Sequence, residues 1–162
     1  MAGGYTMSIP TEDRNYRSRK EMEENIVTLL GGRVAEALVL GDISTGASND
    51  IERATQIARA MVTKYGMSER LGPICYGSDN NEVFIGRDMG HMKNYSEKIA
   101  AEIDEEIQKI VGRGYQKTEQ LLSEHMDKLH KVAQFLFVNE KMSGAEFKEL
   151  MLSLIHISEP TR

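Results

Sequence analysis

The side chains able to do chemistry in this 162-residue chain are few and widely spread. Four histidines stand at His91, His125, His130 and His156, and Cys75 is the one cysteine. A zinc site needs three or four N, S or O donors that converge on one point. His125 and His130 do not share a helix face as an i, i+4 pair would. No H-E-x-x-H, nucleophile elbow or dinucleotide fingerprint occurs, and the spacing of Gly41 and Gly46 lacks the Lys-Ser/Thr of a P-loop. On spacing alone each histidine reads as a surface or interface residue. Glu102, Asp104, Glu105 and Glu106 form an acidic run that reads as a solvated helix face. Asp50 falls in the first turn of a predicted helix, where a carboxylate interacts well with the helix dipole. That reading accounts for Asp50 fully, and local pattern does not make it a ligand. From the residues alone, no complete catalytic constellation emerges.

The elements that would position these groups are mostly helical. Ser18-Arg19-Lys20-Glu21 fits an S-x-x-E capping box. Met22, Ile26, Leu29, Leu30, Val34 and Leu38 then recur at helical spacing and predict a core-facing stripe, ended by Gly41-Asp42. Gly31-Gly32 inside it marks either a break between two helices or a close approach of another backbone. A small-residue loop, Ile43 to Asp50, leads to a second helix with Ile51, Ala54, Ala58, Met61 and Tyr65 on one face. Ser48 or Asn49 is the expected cap and Gly66 the expected stop. Short strands are predicted at Tyr5–Ile9, around Ile74–Tyr76 and around Glu82–Ile85. From Asn94 to about Val138 the pattern predicts two helices, or one bent at Gly112-Arg113-Gly114. Ser143-Gly144-Ala145-Glu146 opens a last short helix.

Apolar residues make up 40% of the chain and charged residues 28%, the balance of a globular protein rather than a disordered one. Ten methionines, three prolines and no tryptophan lean towards helices. The net charge of −5, without a basic block, is a poor match to nucleic acid or an anionic membrane surface. No apolar run approaches the roughly 20 residues of a membrane span, and no secretory signal opens the chain. A single cysteine excludes a disulfide framework and suits a reducing compartment. The strand at residues 5–9 starts without a lead-in, so the natural N-terminus is expected upstream. The segment LSLIHISEPTR (152–162) abandons the preceding helical pattern and is expected to be a non-native tail.

The stretch GGRVAEALVLGDISTGASNDIERATQIARAMVTKYGMSERLGPICYG (31–77) resembles the peptidase domain of the FtsH family of ATP-dependent zinc metalloproteases. The similarity begins at GGYTMSIPTEDR (3–14). It continues through EVFIGRD (82–88), NYSEKIAAEIDEEI (94–107) and LLSEHMDKLHKVAQFL (121–136), and fades near Met151. The resemblance implies a mainly α fold over residues 1–151, a helical peptidase-domain fragment with a few short edge strands.

In that family a helix carries H-E-x-x-H, whose two histidines bind Zn²⁺ and whose glutamate activates the attacking water. The third protein ligand is the Asp of the STGASNDI segment, which maps onto Asp50. The Glu of the GGR-x-AE segment, an outer acceptor beside the metal histidines, maps onto Glu36. A carboxylate there would fix a histidine's tautomer and orientation, and Gly31-Gly32 would sit where this helix meets the histidine-bearing one. The intact protein is implied to be a homo-hexamer that degrades unfolded or membrane proteins. An ATPase module binding ATP/Mg²⁺ would drive it, at the cytoplasmic face of the bacterial cell membrane. The helices of residues 94–138 are implied to contribute subunit contacts.

The H-E-x-x-H helix, the ATPase module and the membrane anchor are expected N-terminal to residue 1, leaving the fragment soluble only marginally, with an uncovered edge and stripe. The alternative is a non-catalytic helical oligomerisation module derived from such a protease. The isolated chain is therefore expected to hold no catalytic zinc and to cleave no peptide bond. Titration of purified residues 1–151 with Zn²⁺ checks this, and tight stoichiometric binding is the contrary result.

Overall fold

The computed structural model describes Thr6, residues 16–77 and residues 95–153. Within them the chain forms five helices in the order α1 (Arg19–Leu40), α2 (Ser48–Thr63), α3 (Glu97–Glu124), α4 (Met126–Asn139) and α5 (Gly144–Ser153). A 3-10 turn, Thr45–Ala47, precedes α2. The mainly α fold is as the sequence predicts.

The helix starts follow from side-chain chemistry. Ser18 Oγ accepts from the Glu21 N–H at 3.2 Å while Glu21 accepts from the Ser18 N–H at 2.6 Å. The two side chains thus satisfy each other's free backbone donors, the capping box the sequence predicts. Ser143 and Glu146 make the same exchange at 3.2 and 2.7 Å. Ser96 caps α3 through the Ile99 N–H at 3.3 Å. Helix α1 ends where Gly41 turns left-handed, at φ +64°.

The core is a three-helix arrangement in which α1, α2 and α3 each touch the other two. Helix α1 buries Met22, Ile26, Leu30 and Val34, one residue per turn. Helix α2 contributes Ala54, Ala58, Met61 and Val62, and α3 contributes Ile103, Ile107 and Ile110. The small Ala54 and Ala58, both fully buried, let α2 lie close to its neighbours. Helices α4 and α5 touch one another, and α4 contains no buried residue.

The glycine that permits close helix packing is Gly114. A Cβ there would stand 2.8 Å from Ile26 Cγ2 and 3.5 Å from Leu30 Cδ1. One turn on, the buried Thr118 hydroxyl lies 3.1 Å from the Val27 carbonyl and 2.8 Å from the Gly114 carbonyl and shares its one proton between them. Gly31 and Gly32, by contrast, meet no atom within 4 Å among the described residues, and α1 runs through them unbroken. Helix α3 likewise runs straight through Gly112-Arg113-Gly114. The change of helix comes at His125, whose N–H is shared between the Leu121 and Leu122 carbonyls at 3.2 Å.

Two further expectations are corrected. Neither Ser48 nor Asn49 caps α2: Ala47 occupies the cap position without a side-chain bond, because the 3-10 turn runs directly into the helix. Ile74–Tyr76 forms no strand. The Tyr76 N–H instead bonds the Thr63 carbonyl at 2.8 Å, folding the segment back on the end of α2. That return passes Gly66, at φ +61°, where a Cβ would meet Pro73 Cα at 2.7 Å. The predicted strands at 5–9 and 82–85 lie outside the described residues, apart from Thr6.

The acidic run on α3 is not merely solvated. Glu106 is 7% exposed and accepts from Ser68 Oγ at 2.8 Å and Lys109 Nζ at 3.2 Å. Glu102 and Glu105 pair with Arg70. The loop after α2 is thereby tied to α3 by charge-assisted bonds. Burial pushes the Glu106 carboxyl up, but the bonds from Ser68 and Lys109 outweigh it and hold it below the ordinary 4.5.

Two predictions follow from this packing. Gly114→Ala should destabilise the chain by about 1–3 kcal/mol through overpacking, of which helix propensity returns at most about 1 kcal/mol. Ile26 is β-branched and fully buried, so it has little room to swing aside. Gly112→Ala, with open space around it, should be neutral or stabilising, and urea denaturation of the pair reads the contrast. Because the Glu106 carboxyl is depressed on folding, its contribution is full above its unfolded value near 4.5 and is lost as pH falls through its lower folded value. Ser68→Ala should cost about 1–3 kcal/mol at neutral pH and shrink that acid-side slope, measured as stability against pH.

Candidate metal-ligand site

The candidate site lies where α1 ends and α2 begins. Glu36 sits near the C-terminal end of α1 and Asp50 in the first turn of α2. The loop between them makes a sharp return, and polar contacts rather than packing hold it. From Gly41 to Gly46 every residue is exposed, and only Ala47 is buried.

Glu36 holds this loop. Its Oε1 accepts from the Ser44 hydroxyl at 2.6 Å and its Oε2 from the Ser44 N–H at 3.1 Å. Ser44 Oγ in turn accepts from the Gly46 N–H at 3.1 Å, a short side-chain turn of the kind serine favours. The Ser48 N–H then bonds the Thr45 carbonyl, and α2 follows. The two bonds from Ser44 hold the Glu36 carboxyl below its ordinary value, hydroxyl first and backbone second, with a smaller contribution from the Arg33 charge. Glu36 is therefore ionised at neutral pH and anchors the loop as a carboxylate.

Asp50 is half-buried, and its side chain makes no hydrogen bond or ion pair with another described residue. Among the described residues its oxygens meet no donor. The structure thus brings the two sequence-nominated residues to the two ends of one loop, Glu36 engaged and Asp50 unengaged. Among the described residues no three of His, Cys, Asp or Glu come together as a metal-holding group. His125 lies at the α3–α4 junction and His130 is exposed on α4. His91 and His156 lie outside the described residues. Cys75 is exposed, with its thiol donating to the Gly77 carbonyl at 3.3 Å.

Sequence reading passed over Ser44. Its signal was there: a serine two residues before a glycine, in a loop too short to be held by packing. What the sequence could not supply was the acceptor, a glutamate on the preceding helix.

The chain matches Peptidase family M41 over residues 1–150. It belongs to that family. It is 61% identical over 149 residues to the ATP-dependent zinc metalloprotease FtsH 1 of Thermoanaerobacter sp. (strain X514), covering 92% of this chain and 24% of the relative. The FtsH of Caldicellulosiruptor bescii is 58% identical over 150 residues, 93% of this chain and 24% of that protein. The FtsH of Bacillus subtilis (strain 168) is 49% identical over 151 residues, with the same coverage. The M41 chain thus spans about a quarter of the length of these curated relatives. Among the described residues no helix is long and apolar enough to cross a membrane.

Proposed function

We propose that residues 1–151 are part of the peptidase domain of an ATP-dependent zinc metalloendopeptidase of the FtsH type, with Asp50 as its carboxylate zinc ligand. The observation that supports it most is the state of Asp50. It is a half-buried carboxylate at a helix start, without a partner among the described residues, at the end of a loop anchored by an ionised glutamate. A single carboxylate suits a zinc site whose two other protein donors are histidines from another segment. When bound, zinc supplies Lewis-acid polarisation of a peptide carbonyl and activation of a water molecule. The chain's own part is to present one negatively charged oxygen donor, and to do so rigidly.

Glu36 fits the neighbouring role. A carboxylate has about four lone-pair sites, and Ser44 occupies one on each oxygen. Capacity remains to accept a histidine N–H, which would fix that ring for metal binding. Gly31-Gly32, where an added Cβ meets no described atom within 4 Å, would offer a place for the histidine-bearing helix. The relatives are known as ATP-dependent zinc metalloproteases, which supports protein substrates and Zn²⁺ for the intact protein. ATP/Mg²⁺ binding in a separate module, a homo-hexamer and anchoring at the cytoplasmic face of the membrane belong to the same reading. The isolated chain, with one ligand and no H-E-x-x-H, would be inactive.

A second reading has its own observation. Phe137, Val138 and Leu152 on α4 and α5 are 89%, 73% and 60% exposed, which suits a helical interaction module. Zinc separates the two readings. In a chimera, residues 3–150 of this chain replace the matching stretch of the Bacillus subtilis FtsH, which keeps the rest of its own sequence. The chimera should bind zinc and degrade an unfolded protein, and Asp50→Asn should abolish both while sparing ATP hydrolysis. Full zinc occupancy in the Asp50→Asn chimera would leave the interaction-module reading standing alone.

A further inference from the structure

We propose that Ser44 is a positioning residue for the metal-site carboxylate: it straps the α1–α2 loop to Glu36 and so fixes where α2 presents Asp50. The proposal deepens the zinc reading of Asp50 and rests on it.

The start of α2 needs an outside hold. The first N–H groups of a helix lack intrahelical partners, and an uncapped start frays. Ala47, at the cap position, offers no side-chain acceptor. What precedes it is a relay of hydrogen bonds. Glu36 takes both donors of Ser44, hydroxyl and N–H. Ser44 Oγ accepts from Gly46 N–H, and Ser48 N–H bonds back to the Thr45 carbonyl. Asp50 follows within the first turn of the helix. A rigid path thus leads from a carboxylate on α1 to the ligand on α2, through one serine that donates twice and accepts once.

Packing does not duplicate that path. Ser44, Thr45 and Gly46 are all exposed, and Ala47 alone is buried. The residue at 46 is also held small. A Cβ there would stand 3.3 Å from Ser44 Oγ and 3.8 Å from Glu36 Oε1, crowding the strap. Further along α2, Ala54 and Ala58 fix the helix body in the core. They locate its axis, and the strap sets its first turn. Both oxygens of Glu36 accept from Ser44 and each keeps a further lone pair, so Glu36 acts on the metal site through Ser44 as well as through any histidine it meets.

The test uses the 162-residue chain and the FtsH chimera described above. In the chain, Ser44→Ala should speed amide exchange at Gly46 and Ser48, whose N–H groups are bonded in the strap, by about tenfold or more. Exchange at Ile107 in α3 and the urea midpoint should not change. In the chimera, Ser44→Ala should weaken zinc binding by about 10- to 100-fold, the usual effect of removing an outer partner. Ser44→Thr, which keeps the hydroxyl, should restore it. Glu36→Gln is a second way to break the strap and should reproduce the exchange result if Ser44→Ala folds poorly. Unchanged exchange at Gly46 and Ser48 in both variants overturns the strap. Faster exchange with zinc affinity unaltered overturns the positioning role. If Asp50→Asn binds zinc normally, the failure belongs to the ligand assignment, not to Ser44.

Discussion

The crossing of α1 and α3 at Gly114 sets the geometry of the rest. There α3 comes so close that Ile26 occupies the space a side chain on α3 would take. The contact is apolar on one side and hydrogen-bonded on the other, where Thr118 reaches the Val27 carbonyl. A helix carbonyl already engaged along its own helix has a second lone pair, and Thr118 uses it across the interface. This fixes sliding and rotation of α1 on α3 together. Hydrophobic burial alone would resist separation but tolerate sliding, since it has no direction. With α1 placed on α3, the Ala54 and Ala58 face of α2 has a defined groove to fill, and the loop from Met67 to Leu71 closes over the edge through Ser68 and Glu106.

Much of this architecture is legible in the sequence, because it is local. Capping boxes at Ser18–Glu21 and Ser143–Glu146 depend on residues three apart, and the stop at Gly41 depends on one residue's freedom. The stripe Met22, Ile26, Leu30, Val34 follows from the helical period. What is not legible depends on who crosses whom. Gly31-Gly32 and Gly112-Arg113-Gly114 look alike as sequence, two glycines within a helical pattern. One pair meets no described atom within 4 Å of an added Cβ, and only Gly114 of the other set faces Ile26. Adjacent positions on a helix point about 100° apart, so the direction of approach decides, and direction is a tertiary property.

Glu106 is a case where the signal was present and was outweighed by composition. In a run with Glu102, Asp104 and Glu105 it reads as solvent-facing. Yet it lies three residues after Ile103 and four before Ile110, on the same face as both. Periodicity placed it inside while charge argued for outside. The structure resolves the conflict by giving the buried carboxylate a hydroxyl and an ammonium, which is the condition under which a charge can be buried. Ser44 is the same lesson at the candidate site. Its hydroxyl and N–H both point to a carboxylate that is close in sequence but on a different element. No local pattern announces that the serine belongs to Glu36 and not to its own helix.

Helix α1 therefore serves two ends of the molecule in different ways. Its first turns are clamped by α3 and α2, through Met22, Ile26 and Leu30. Beyond Val34 it leaves the core: Val39 and Leu40 are 45% and 72% exposed. Glu36 stands just past that boundary, where α1 is still held rigid by its own hydrogen bonds but no longer buried. A carboxylate placed there can reach a loop without paying for deep burial, and it borrows its rigidity from the clamped part of the helix. Asp50 is thus referenced to the same helix twice, once through the alanines of α2 in the core and once through Ser44 at the surface. The first link sets the fold and the second sets the direction of one side chain. That separation is what lets the loop be polar, exposed and exact in position at once.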